Sequence, residues 1–421
     1  MNGVRVKDVI KAKQTGILNI LIFLFPIAII GIRHWGSIIF GLIVITSLIS
    51  LPKIKNEISS LYKEEKVLLL IFFIYFLVSL VSIVTNKFDQ AGIYALGTEL
   101  RFLMIITVYV ALRSCDGLWI YLWAGSLVGI VFTTGVGLYD LYVENEERAG
   151  GMYGTLFFGP ILLLFILLQI PWCRSQNLSK LKKYSIWIIS FIGLLFVVNA
   201  ATRSAFVAMV AAFFVLFFYL PKTKKLIIIL LFAGLLSYLA YEFSPIAQNR
   251  INDAFSQTES YIKYYINHPN NDDKYGKSGT GMRLEMWRTA MFIFLDHPWV
   301  GVGRYHYTDA AKKYVELGLV DKSVIKASHP HSVIFEAMEA KGIFGLIAVL
   351  GLYIYPLYIF IKTRGYGRES ALAGILLMVS IYCYSLTEVA PVYFGNFVSV
   401  FLVYLSVIFS WHVKQIRRKN I

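Results

Sequence analysis

Charge is what this sequence has least of. Asp, Glu, Lys and Arg make up 15% of its 421 residues, against 57% hydrophobic residues, a balance that excludes an ordinary soluble domain and points to repeated membrane crossing. Cysteine is almost absent. Of the three, Cys115 and Cys173 fall at the basic face described below and Cys383 inside an apolar run, so no pair is placed for an external disulfide and no redox or metal role follows. Internal repeats, coiled-coil heptads and low-complexity tracts are missing as well. No cleavable signal peptide is expected, because the first apolar segment runs through GIRHWG into the second without a small-residue cleavage site.

What the sequence has instead is long apolar runs. Segments of the length needed to cross a bilayer, roughly 17 to 25 residues, fall near 16–32, 35–51, 67–85, 99–113, 117–142, 154–171, 185–201, 203–220, 226–243, 342–361, 370–386 and 392–412. The expected fold is all-α and polytopic, with about twelve transmembrane helices and one large helical loop between spans nine and ten. The chain divides accordingly into 1–243 (spans one to nine), 244–341 (the loop) and 342–421 (spans ten to twelve and a basic tail). Basic residues next to span ends set orientation. One face collects 23 of them against six acidic residues, whereas the 244–341 loop is nearly balanced, 12 against 11. Both termini are therefore expected in the cytoplasm and the loop outside. The net +15 reads as a topology signal directed at anionic lipid headgroups, not as a nucleic-acid surface.

Within the loop, helices are expected at 245–267, at 282–298 with Thr280 near the start and Pro298 closing it, and at 309–317, with a turn-rich stretch from His268 to Gly281. Three arginines stand out. Arg203, in NAATRSAF, lies between two spans joined by almost no loop, so its guanidinium either snorkels or pairs with an acid such as Glu388, or serves as a phosphate ligand. Arg283 occupies the first turn of its helix, where dipole and free N–H groups favour an anion; a plain surface arginine is the other reading. Arg148 has Glu144, Glu146 and Glu147 beside it, so a local salt-bridge cluster stands against a substrate role.

In SHPHSVIFEAMEAKGIFG (328–345), His331, Phe335, Met338, Gly342 and Gly345 recur at helical steps, and the glycines suit close packing against another span. Pro330 fits a first helical position and biases His329 to an extended conformation, outside the spaced pattern. His331 then sits at a helix amino terminus, where the dipole and a nearby arginine favour the neutral form that a general base needs.

The ordered set HSVIFEAMEAKGIFG, GTGMRLEMWRTAMFIFLDHPWVGVGRYHY, NAATRSAF and ERAGGMYGTLFFGP resembles the O-antigen ligase and polymerase superfamily of membrane glycosyltransferases over most of the chain. The resemblance implies metal-independent, inverting transfer from an undecaprenyl-pyrophosphate-linked glycan, with no cofactor. It makes His331 the base and Arg203 and Arg283 the pyrophosphate ligands, with Arg148 and His329 as further substrate-binding candidates. The loop's lack of a clustered Asp/His set agrees with the absence of a divalent ion. The implied acceptor is the lipid A core at the periplasmic face of a bacterial inner membrane. One sizeable external loop favours a ligase over a polymerase, although Arg148 and Gly159 fit the Arg, ten residues, Gly spacing of polymerase loops. No domain follows the last span, which disfavours a protein O-oligosaccharyltransferase. Apart from the external lip, few ionisable groups are expected inside the spans, which disfavours a lipid-linked sugar transporter or flippase.

Overall fold

The computed structural model describes residues 6–31, 34–49, 59–86, 88–219 and 279–419, with isolated positions between 234 and 263. Most of the expected span at 226–243 and of the loop helix at 245–267, and all of residues 268–278 of the turn-rich stretch, lie outside the described set. The described chain is helical throughout its long elements, as a backbone surrounded by hydrocarbon requires, since only a helix satisfies every polar group within one segment. Eleven helices carry the apolar runs: α1 (Val6–Gly31), α2 (Trp35–Ile49), α3 (Lys63–Thr85), α4 (Gln90–Arg113), α5 (Leu118–Tyr142), α6 (Thr155–Ser175), α7 (Lys180–Ala200), α8 (Arg203–Tyr219), α11 (Val333–Lys362), α12 (Arg368–Thr387) and α13 (Gly395–Lys419). Between α8 and α11 lie two loop helices, α9 (Gly279–Asp296) and α10 (Tyr307–Glu316). Nine of the eleven are long and apolar enough to span a membrane, and α2 and α8 are shorter apolar helices. The protein is a polytopic, all-helical membrane protein.

The most buried span is α13, whose Phe397 to Phe409 stretch is almost wholly enclosed. It packs against α2, α4, α5 and α12, while α11 lies against α3 and α12. At the basic end, ion pairs join helices distant in sequence: Arg113 to Glu65 (2.8 Å), Arg174 to Glu369 (3.0 Å) and Lys414 to Asp116 (3.0 Å). The opposite end carries α9, α10 and the candidate site, and is called the loop face below.

Three sequence expectations need correction here. The helix predicted from 99 begins at Gln90, with Asp89 Oδ1 capping the Gly92 N–H at 2.9 Å, so Glu99 sits about 13 Å along it rather than at its edge. The helix predicted around Pro330 begins at Val333, with Ser332 as the flanking residue. Last, Gly342 does not seat α11 against another span. It breaks the helix with φ 65° and ψ −156°, and an added Cβ would lie 2.3 Å from the Trp299 carbonyl carbon.

That break is paired with a second one. Gly301, at φ 66°, meets the Ala340 carbonyl carbon at 2.3 Å from its own Cβ position. The backbone groups freed at 339–343 are taken up by the 298–303 segment: Val302 N–H donates to Glu339 O (2.9 Å), Gly303 N–H to Ala340 O (3.0 Å), and Ile343 N–H to Pro298 O (2.7 Å). From α3, Ser82 Oγ also donates to Ala340 O at 2.6 Å. Leaving such buried groups unpaired would cost roughly 1–3 kcal/mol each. We therefore expect Gly342→Ala to lower stability by roughly 2–5 kcal/mol, from a glycine-only backbone region plus a backbone clash. The melting temperature of purified protein checks it, and an unchanged value would show that the break is dispensable.

Candidate active site

Three helix amino termini meet at the loop face. Arg203 is the first residue of α8, following a corner in which Ala201 adopts φ 48°. Its Nη1 donates to Thr280 Oγ1 at 2.5 Å, which ties the start of α8 to the start of α9. Arg283, one turn further along α9, pairs through Nη2 with Glu388 Oε1 at 2.6 Å. The other oxygen of Glu388 lies 3.1 Å from His331 Nδ1, just ahead of α11. Glu388 thus bridges the α9 arginine and the histidine from the end of α12, and it is 5% exposed. A carboxylate only accepts hydrogen bonds, so this contact places the His331 proton on Nδ1 and leaves Nε2 as an acceptor.

The His331 backbone is in the left-handed region, φ 51°, which costs a non-glycine residue of the order of 1 kcal/mol and recurs at functional sites. Its surroundings hold it there. Trp287 Nε1 donates to Pro330 O at 2.9 Å, and the Trp287 ring stacks on Phe335 with centroids 5.2 Å apart. The His331 backbone N–H donates to His329 Nδ1 at 3.3 Å.

His329 is not turned away by Pro330, as its position outside the helical pattern suggests. It is buried at 6% exposure, its ring centroid 4.3 Å from that of His331 and 4.9 Å from that of Tyr393. Burial first, then the positive field of His331, Arg304 and Arg283, lowers its pKa to about 3. Arg148 reaches the corner between α7 and α8. Its Nε donates to Ala200 O at 3.0 Å, a second guanidinium nitrogen reaches the same carbonyl, and the neighbouring Ala149 N–H is held by Asn199 Oδ1 at 2.8 Å. Arg148 therefore buttresses the α7–α8 corner from which Arg203 projects. Gly159 lies at the same corner, its Cβ position 2.8 Å from Thr202 Oγ1.

Beneath the histidines is a buried charged layer, drawn from the 244–341 loop and from Glu99 of α4. Arg304, 3% exposed, donates from Nη1 to Glu99 Oε1 at 2.7 Å, and Lys341 Nζ reaches the same oxygen at 2.8 Å and Tyr75 Oη at 2.9 Å. Arg304 also donates to the Tyr393 carbonyl and lies 4.1 Å from the centre of its ring. Despite burial, the neighbouring Glu99 carboxylate holds the Arg304 pKa above its ordinary value. Glu336 of α11, also buried, lines a small pocket with Arg304, Lys341 and Tyr75. The sequence signal was available, since an acid and a lysine within apolar surroundings are costly unless paired.

Residues 188–350 match the family model described as O-antigen ligase. Over that stretch the chain is similar to the O-antigen ligase superfamily. The matched stretch holds Arg203, Arg283, His329 and His331, while Arg148 and Glu388 lie outside it. An uncharacterized protein of Haemophilus influenzae is 24% identical over 356 residues, covering 82% of this chain and 85% of that protein. The O-antigen ligase of Escherichia coli is 26% identical over 162 residues, 37% of this chain and 35% of that protein; the second match thus spans only about a third of its relative.

The buried His329 makes a prediction about acid. Its folded pKa of about 3 lies below the ordinary 6.5, so the unfolded chain binds the extra proton between those values and stability falls as pH drops through that window. The loss from this residue approaches about 1.4 kcal/mol per pH unit below pH 6.5. Thermal melts between pH 7 and 4.5 should show a flatter acid limb for His329→Phe than for wild type.

Proposed function

We propose that the chain is an O-antigen ligase, moving a polysaccharide from undecaprenyl pyrophosphate to a sugar hydroxyl of the lipid A core. In this reading it lies in a bacterial inner membrane with both termini cytoplasmic, the 244–341 loop forming the periplasmic active-site cap between span sets 1–243 and 342–421. The observation that carries the reading is the Arg283–Glu388–His331 constellation at converging helix amino termini, set in a chain similar to the O-antigen ligase superfamily over residues 188–350.

The chemistry follows from the donors and acceptors in place. His331 Nε2, with Nδ1 committed to Glu388, takes the proton of the acceptor hydroxyl as that oxygen attacks the anomeric carbon of the donor sugar. The bond from that carbon to the pyrophosphate oxygen breaks, and its electron pair leaves with undecaprenyl pyrophosphate. A single displacement inverts the anomeric centre. Arg203, Arg283 and the starts of α8 and α9 supply positive potential where the leaving charge develops. Arg283 shares its charge with Glu388, so it both orients the acid that orients His331 and faces the anion. Arg148 holds the corner behind Arg203. His329, neutral and packed on His331, fixes the position of the base and presents a polar edge to substrate.

The polymerase alternative draws on Arg148 and Gly159, both of which lie at the α7–α8 corner. Lipopolysaccharide on a gel separates the two: loss of a ligase leaves core lipid alone, and loss of a polymerase leaves core plus one repeat.

Two sets of variants test the roles. His331→Ala should lower transfer by roughly a hundred- to ten-thousand-fold while donor binding persists. Glu388→Gln, which can donate to Nδ1 and favour the wrong tautomer, should lower turnover by roughly a hundredfold or more with a smaller effect on donor affinity. Wild-type turnover in either would reject the base assignment. Arg203→Lys and Arg283→Lys keep a charge but lose the planar fork. Both should fold and transfer poorly; if both melt as wild type and remain fully active, the pyrophosphate clamp is wrong.

A further inference from the structure

A cavity opens on the loop face, on the far side of an aromatic wall from the histidines. It has a volume of about 1270 Å³ and is bounded by α2, α4, the turn at Met152 and Tyr153, Tyr305 and the start of α13. That is at or above the usual volume of a small-molecule site, about 300–1,000 Å³. Phe394 forms part of its wall and also meets the His329 ring, at 6.1 Å between centroids. Tyr305, the other part, packs on Tyr393 at 4.9 Å, and Tyr393 packs on His329. The aromatic wall and then the His329 ring separate this cavity from the proposed base.

The floor of the cavity is built from donors. Arg101 Nε donates to Ser399 Oγ (3.1 Å), Nη1 to Gly97 O (2.7 Å) and Nη2 to Ser37 Oγ (3.2 Å). All three partners are neutral, and two of the five guanidinium N–H groups remain. Nearby acids are committed elsewhere. Glu99 is held by Arg304 and Lys341, and Asp89 by the Gly92 N–H and His306. Tyr153 Oη accepts from the His34 backbone N–H (2.7 Å) and from Asn396 Nδ2 (2.6 Å), so its own hydroxyl proton is left to donate. A half-buried cation with neutral partners, beside a free hydroxyl donor, is costly unless a ligand brings negative charge. The walls, Tyr94, Tyr305 and Phe394, offer the flat aromatic and hydroxyl surface on which a sugar ring packs.

We propose that this cavity is the acceptor subsite and takes a saccharide carrying an anionic group, a phosphate above all, with Arg101 as its ligand. The proposal rests on the transferase reading, since it supplies the second of two membrane-anchored substrates that must reach His331. The arginine-bearing starts of α8 and α9 receive one glycolipid and the Arg101 cavity the other. The segment 388–396 lies between them, Glu388 at its Arg283 end and Phe394 to Asn396 at its cavity end. A phospholipid headgroup shares the same phosphate chemistry, so the test separates the two sources.

The full-length protein in phosphatidylcholine nanodiscs is titrated with phosphorylated core oligosaccharide and with the same oligosaccharide after phosphate removal, read by isothermal calorimetry. Wild type should prefer the phosphorylated probe by about tenfold. Arg101→Gln should abolish that preference, and Tyr153→Phe, which leaves the guanidinium in place, should reduce it by less. Equal affinity for both probes in wild type overturns the proposal. So does an equal loss for both probes in Arg101→Gln, which would make Arg101 scaffold only. If Arg101→Gln does not fold, Tyr153→Phe decides: an unchanged preference overturns the subsite. Repeating the titration in phosphatidylglycerol nanodiscs should leave the preference intact, and its disappearance would assign the site to a lipid headgroup and overturn the acceptor. Binding requires no turnover. Charge-selective binding without any transfer would therefore refute the reaction and leave the subsite standing, and transfer without charge selectivity would do the reverse.

Discussion

The candidate site depends on a seam of backbone, where the turn at 298–303 lies against the interrupted start of α11. A transmembrane helix cannot stop within a protein interior without stranding its carbonyls and N–H groups. Here the stranded groups of 339–343 are answered by a loop that arrives from α9 with its own glycine at positive φ. Both glycines are needed, because a Cβ on either would lie 2.3 Å from the other segment's backbone. The seam fixes the distance between α9, which carries Arg283 and Trp287, and α11, which His331 precedes.

The same seam is pinned by charge. Arg304 immediately follows Gly303, Lys341 immediately precedes Gly342, and both close on a single oxygen of Glu99 in α4. Arg304 and Lys341 thus share one carboxylate oxygen, and Glu336 of α11 lines the same small pocket. A buried network of this kind contributes less to stability than its contacts suggest, because each ion is stripped of water. Its effect is on geometry, since breaking any member leaves an uncompensated charge, so the loop and the helix have few alternative registers.

Much of this was legible in residue order. Arg203–Tyr219 and Arg368–Thr387 follow the apolar runs at 203–220 and 370–386, and α9 ends at Asp296 shortly before Pro298, as a proline stop signal implies. Arg283 and His331 were visible as residues at helix starts. The break at Gly342 was not, because apolar periodicity continues across it and only the φ of one residue differs. Nor were the partners of Glu99, which lie 205 and 242 residues away and leave no local pattern. Glu388 was visible as an acid between spans, but its partners, Arg283 and His331, come from two other elements. The packing of the His329 ring was not legible either, because Pro330 restricts the backbone before it and says nothing about what the ring meets.

The corner between α7 and α8 ties Arg203 to the bilayer itself. Only Ala201 and Thr202 separate the two helices, and Arg148 clamps the carbonyl just before them, so the arginine has no slack chain on which to shift. The 17 residues described for α8 cover about 26 Å from the arginine, against a hydrocarbon core of about 30 Å. The guanidinium's depth is thereby set by how the surrounding lipids match this span, and thinning or thickening of the membrane would move it relative to the headgroup plane. Lipid chain length becomes a physical input to where a glycolipid's phosphates can meet this protein.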